Sequence, residues 1–228
     1  MPPRKKVKTQ NSNSTSSRWN NGDFELVSSD GTTFRVPTYQ LQAASTVFRD
    51  MVETCSGEKR VELDEKDSTV DWFLRLSTGN VSFLESLCMK PNWSGTLELL
   101  HFVKKYDCAM ATNQLKIYLR LQSTSPWNPH LRVLIAMHLN LTHEIANMIE
   151  NEPDVFRWLR PSAFSSSETD LPPYDLFCMI PHRYLWALSS PDVLPRTRSS
   201  HYIRGSDHDA LARRESFLCL LAQTENAK

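Results

Sequence analysis

Glycine is scarce in this chain, six residues in 228, and none builds the glycine-rich turn that cradles a phosphate. No Gly-x-Ser-x-Gly elbow is present, so the nucleophile turn of a serine hydrolase is missing. The five cysteines (Cys55, Cys88, Cys108, Cys178, Cys219) are odd in number and share no paired spacing, which reads as reduced thiols rather than a disulfide frame. No apolar run approaches the ~18 residues of a membrane span. The N-terminus lacks the apolar segment of a secretory signal. These absences predict an intracellular protein, nuclear or cytoplasmic. There the N-glycosylation sequons at Asn13, Asn80, Asn92 and Asn140 carry no meaning.

Metal chemistry is equally thin. His143-Glu144-Ile145-Ala146-Asn147 stops one residue short of the zinc motif His-Glu-x-x-His, because Asn stands where the second histidine belongs. The other histidines (101, 130, 138, 182, 201, 208) have no ligand spacing with a Cys or Asp partner, and Asp207-His208-Asp209 reads as a helix start. Asp64-Glu65 and Asp67 read as solvated charge at a strand-to-helix turn. The expectation is no metal, no cofactor and no catalysis.

Charge is balanced overall but unevenly spread. Five of the 26 basic residues (Arg4, Lys5, Lys6, Lys8, Arg18) lie within residues 1–21, which hold no acid. That leaves 21 against 26 in the remainder, a balance of about −5. An acidic body argues against broad nucleic-acid binding through the folded part. The first 21 residues are basic, rich in Ser, Asn and Thr, and without apolar period, so they are predicted to be a disordered tail. Within it Arg4, Lys5, Lys6 and Lys8 have the form of a nuclear import signal, of a plain solvated tail, or of a nucleic-acid contact.

The organising stretch is 23–52. Phe24 and Leu26, then Phe34 and Val36, alternate with polar neighbours, the period of half-buried strands. Asp30-Gly31 between them offers the positive φ angles of a tight hairpin turn. Leu41 and Ala44, and then Val47, Phe48, Met51 and Val52, switch to helical spacing, with Ser45 as N-cap of the second helix. Arg60–Leu63 alternates again, with Val61 and Leu63 facing inward. A capping box from Ser68 to Asp71 opens a helix bearing Val70, Phe73 and Leu74, which Gly79-Asn80 ends. Phe83, Leu84, Leu87 and Trp93 are the apolar positions of a variable segment, 80–95. A strongly apolar helix follows, with Leu97, Leu99, Leu100, Phe102, Val103 and Tyr106, and another spans 114–121.

Asp23-Phe24, the run Phe34-Arg35-Val36-Pro37-Thr38, and Leu41 through Ser45 to Phe48 resemble the opening of the BTB/POZ domain. The resemblance covers about residues 22–122 and is nearest to the divergent forms abundant in mushroom-forming fungi. It implies an α+β fold, a small sheet with a hairpin flanked by short helices. It also implies homodimerisation through a surface including Asp23, Phe24, Leu26, Thr38 and Leu41. In some relatives it implies docking on a cullin ubiquitin-ligase scaffold, for which Phe83 and Glu85 stand in the matching triplet. Two positions depart from the pattern: Pro37 and Thr38 replace a His and a basic residue. In the family that basic residue pairs with the strand Asp, so either Arg35 or another cation must replace it, or Asp23 is solvent-exposed and the dimer is weak or absent; self-association weaker than the family norm is expected.

Ser125-Pro126-Trp127-Asn128-Pro129 breaks the chain, and residues 123–228 read as a helical extension. Helices are expected at 129–139 (capped by Asn128), after a cap at Thr142, at 154–160, as two pieces or one kinked piece around Pro181, and at 209–222. Ser162–Pro173 reads as a polar loop. Trp72, Trp93, Trp127, Trp158 and Trp186 are read first as packing anchors, with Trp72 and Trp93 as candidates for a partner-binding face. The reading that follows is a non-catalytic interaction and dimerisation module. Its alternatives are a cullin-ligase substrate adaptor and a nuclear factor whose tail contacts nucleic acid.

Overall fold

A computed structural model describes residues 14–54, 59–80, 82–83, 86, 92–121, 129–152, 156, 180–190, 193 and 207–226. The fold is α+β: one small mixed sheet and, among the described residues, a majority of helix. The chain divides into two compact units, Met1–Leu87 with Ser94–Gln114, and Cys88–Trp93 with Leu115–Lys228.

The sheet of the first unit has four strands, β1 (Ser14–Asn20), β2 (Phe24–Val27), β3 (Thr32–Val36) and β4 (Arg60–Glu62), in the order β1-β3-β2-β4. The alternation of β2 and β3 sends Phe24, Leu26, Phe34 and Val36 into the core, as their spacing requires. The hairpin turn differs from expectation. Only Gly31 takes positive φ, at 85°, while the Gly31 N–H closes on the Ser28 carbonyl at 2.9 Å and the Ser28 N–H on the Thr32 carbonyl at 3.0 Å. This is a three-residue connection with one left-handed glycine, not a two-residue turn with two positive angles.

Residues 14–20, expected to belong to a disordered tail, form β1 and pair in parallel with β3. Hydropathy misses such a strand because it is held through its backbone. None of its side chains is fully buried, so no apolar alternation marks it. Residues 1–13 lie outside the described residues.

The helices α1 (Thr38–Ala44) and α2 (Thr46–Thr54) follow β3 directly. Ser45 caps α2 as expected, its Oγ accepting the Phe48 N–H at 3.0 Å. That hydroxyl also donates to the Tyr106 carbonyl, fastening the junction to a helix far along the chain. The next helix, α3 (Asp67–Ser77), lacks the expected capping box: Lys66 is the N-cap and Asp71 is engaged elsewhere. Asp30 from the hairpin accepts the Asp67 N–H at 3.3 Å instead, an orphan donor satisfied from another element. Gly79, at φ 70°, ends α3 as predicted. Helices α4 (Trp93–Lys105) and α5 (Ala109–Leu121) complete the series, and the division between units falls inside α5. Phe48, Phe73, Phe102 and Tyr106 cluster in the core of the first unit.

The second unit is helical among its described residues: α6 (Pro129–His138), α7 (Thr142–Asn151), α8 (His182–Ser189) and α9 (Asp207–Asn226). Every residue from Leu131 to Met137 is buried, so α6 is enclosed on all sides. Its one charge, Arg132, is met by both Glu152 oxygens at 3.1 and 3.0 Å. Ile145, Met148 and Ile149 share the buried face of α7, as their spacing predicts. Leu141, not Thr142, is the N-cap there; Pro181 is the N-cap of α8, as the second of two pieces around it would have it, and residues 174–179 lie outside the described residues. Helix α9 is longer than expected, and Leu211, predicted on its apolar side, is exposed while Phe217 and Leu221 are buried. The expected cap at Asn128, helix at 154–160 and loop at 162–173 fall outside the described residues but for Phe156.

Candidate functional site

Three segment starts meet at one end of the sheet. Asp23 precedes β2, Thr38 opens α1 and Lys59 precedes β4; the parallel pairing of β2 with β4 puts the two strand starts side by side. Pro37, at the N-cap of α1, has no side-chain oxygen to offer the first turn. The Asp23 carboxylate fills the gap, accepting the Thr38 N–H at 2.8 Å on Oδ1 and the Thr38 hydroxyl at 2.8 Å on Oδ2. The Lys59 ammonium lies 2.7 Å from Oδ2. The Lys59 ammonium, then the Thr38 N–H and hydroxyl, hold the Asp23 carboxyl well below the ordinary carboxylate range.

The cation beside Asp23 is Lys59; Arg35 instead pairs with Glu25 at 2.9 Å. Asp23 is also solvent-exposed: about half of each partner's side chain is accessible, 53% for Asp23 and 55% for Lys59. No buried unpaired charge arises, and the pair itself is worth little to stability.

Of the residues assigned to a dimer surface, Phe24, Leu26 and Leu41 are wholly enclosed in the core of this chain. Asp23 and Thr38 remain accessible, and beside them Tyr39 is 74% exposed. Sequence reasoning missed both Lys59 and Tyr39. Nothing local marks Lys59, since its place depends on the register Glu25↔Arg60 between strands 35 residues apart. Tyr39 was findable: it occupies a non-core position of a helix whose inward residues are Leu41 and Ala44.

Phe83 is only 5% exposed. Its ring lies 5.7 Å from that of Trp72, and the Arg75 guanidinium sits 5.6 Å above it. A cullin contact through Phe83 needs that side chain at the surface, and here it is packed. Glu85, and Arg4, Lys5, Lys6 and Lys8 of the import-like cluster, lie outside the described residues.

Trp72 and Trp93 are half-buried and Trp186 is 49% exposed, while Trp127 and Trp158 are outside the described residues. Trp19, which the sequence reading passed over, is half-buried and donates its indole N–H to Asp71 at 2.8 Å. Of the near-zinc motif, Glu144 pairs with Arg120 at 2.8 Å. Among the described residues no group of three His, Cys, Asp or Glu side chains could hold a metal ion. Glu65 is not merely solvated: it meets the Lys105 ammonium at 2.8 Å and accepts the Tyr106 hydroxyl at 2.9 Å. No described helix is long and apolar enough to cross a membrane.

No family model, curated protein or solved structure gives a significant match to this chain.

Proposed function

We propose that the chain is a non-catalytic protein–protein interaction module of BTB/POZ type. Residues 22–122 make the domain, the helical remainder extends it, and the protein acts inside the cell, in nucleus or cytoplasm. It associates with a second copy of itself through the surface at the start of α1. The order hairpin, paired short helices, short strand, helix supports this reading, since the resemblance calls for that series. The observation that carries it is the Asp23–Thr38–Lys59 cluster. A carboxylate that would be costly to cover if unpaired is neutralised by the chain's own lysine, next to an exposed Tyr39. Tyrosine is among the residues that anchor interfaces.

Sedimentation across a concentration series tests the reading. The wild-type chain is expected to move from monomer to dimer. Tyr39→Lys is expected to weaken that association at least tenfold, about 1.4 kcal/mol, with an unchanged far-ultraviolet spectrum. A wild type that stays monomeric at every accessible concentration would overturn self-association and leave a different protein as the partner of that face.

A further inference from the structure

We propose that the outer edge of β3 is a strand-addition site, filled here by the chain's own residues 14–20. Vacated, it accepts an extended Ser/Thr-rich peptide running parallel to β3. The backbone directions locate the site. The Glu25 N–H donates to the Lys59 carbonyl at 2.8 Å and the Val27 carbonyl accepts the Leu63 N–H at 2.7 Å, so both residues turn their polar groups toward β4. Their antiparallel partners, Arg35 and Thr33, therefore turn theirs away from β2. Both are positions that β1 meets, through Thr15↔Thr33 and Asn20↔Arg35, beside a third pair, Ser14↔Thr32.

The occupant is lightly held. Between Thr15 and Asn20 the register breaks, so Ser16 to Trp19 have no regular partners in β3. Side-chain ties are a 3.0 Å contact between the Ser14 and Thr32 hydroxyls and the Trp19 indole on Asp71. The acceptor is fixed in place, because the other Asp71 oxygen is 2.7 Å from Arg75 one turn along α3. Below the strap the chain is pinned: a Cβ on Gly22 would come within 2.2 Å of the Val36 carbonyl carbon. Release therefore stops short of Gly22. A segment burying so little apolar surface opens locally at far lower cost than the domain unfolds. The opposite edge, β4, is three residues long and carries Arg60 and Glu62, a shortness and charge that discourage strand addition. The outer edge of β3 has the main-chain groups of Thr33 and Arg35 to offer an extended peptide, which is the chemistry of β-augmentation.

Amide hydrogen exchange on the full-length chain tests the proposal, comparing wild type with Trp19→Ala and, separately, Ser16→Pro. Both variants are expected to speed exchange of the Thr33 and Arg35 amides at least tenfold while leaving Phe34, which faces β2, unchanged. A synthetic peptide of residues 14–21 added to either variant is expected to restore the protection. Equal exchange at Thr33 and Arg35 in all three chains would overturn the strap. Equal acceleration at Phe34 would make β1 an integral strand instead. Failure of the peptide at millimolar concentration to restore protection would overturn the site.

Discussion

Phe48 has none of its surface exposed, stacks on Tyr106 at 4.9 Å with planes 7° apart, and has Phe73 at 5.7 Å and Phe102 at 6.2 Å. Truncation there removes one ring from a four-ring cluster, and the surrounding helices cannot close the void. Phe48→Ala is expected to cost about 3–5 kcal/mol, read as a lowered urea midpoint. An unchanged midpoint would mean the ring is not in the core. Two glycines separate two kinds of constraint. At Gly79, φ is 70° and the nearest atom to an added Cβ is the Gln114 amide nitrogen at 3.8 Å, so there is room and the cost is conformational. Gly79→Ala is expected to destabilise by about 1–2 kcal/mol. At Gly22 the obstacle is backbone, with Val36 and Pro37 atoms 2.2 to 2.6 Å from the added Cβ. Gly22→Ala must displace the strand end and is expected to lower the urea midpoint more than Gly79→Ala. The reverse order would show that the β1–β2 link gives way easily.

At the scale of elements, three helix ends share one geometry reached by three residue types. After α3, the Gly79 N–H reaches the Leu76 carbonyl and the Asn80 N–H the Arg75 carbonyl. After α4, Asp107 and Cys108 make the corresponding bonds to Lys104 and Val103; after α6, Asn140 and Leu141 make them to Met137 and Ala136. Each is a Schellman motif with its left-handed residue at φ 70°, 45° or 57°. The glycine end was legible in the sequence because glycine announces positive φ. The left-handed residues Asp107 and Asn140 were not, although the ends themselves fall where the apolar spacing stops, since Asp and Asn serve turns and caps equally well. The same division runs through the rest. Hairpin strands, α1, α2 and the apolar α4 follow from periodicity, because there one side chain in two, or one face in a turn, meets the core. Strand β1 has no such face, and Ser68 with Asp71 looked like a capping box while Asp71 was committed to Arg75 and Trp19. In the candidate site Asp23 and Thr38 were linked only through the family resemblance, which sets the strand Asp against position 38. Lys59 was not linked to them, because its partner is reached only through a parallel pairing that local pattern does not encode.

At the scale of the whole molecule, each unit has its own buried core, so unfolding has two cores to report. The pH dependence of the first unit follows from groups at the turn between α4 and α5. Burial pushes the Cys108 thiol up to about 12. Burial, then its bond to Glu65, pushes the Tyr106 hydroxyl up to about 12 as well. Both are neutral when protonated, and both folded values lie above the unfolded ones. Their contribution is therefore complete below about pH 9 and is lost as pH climbs, because the unfolded chain releases these protons first. Asp23 has the opposite sign: its lowered pKa favours the folded state above the ordinary carboxylate range and loses that favour in acid. The alkaline side gives the cleaner test, with each such proton difference costing about 1.4 kcal/mol per pH unit while it persists. Urea midpoints measured from pH 8 to 10.5 are expected to fall steadily above pH 9. Cys108→Ala starts lower at pH 8, having lost buried sulfur, yet declines less between pH 9 and 10.5 because one of the two proton differences is gone. A variant that declines as steeply as wild type would place the alkaline sensitivity elsewhere than the buried thiol.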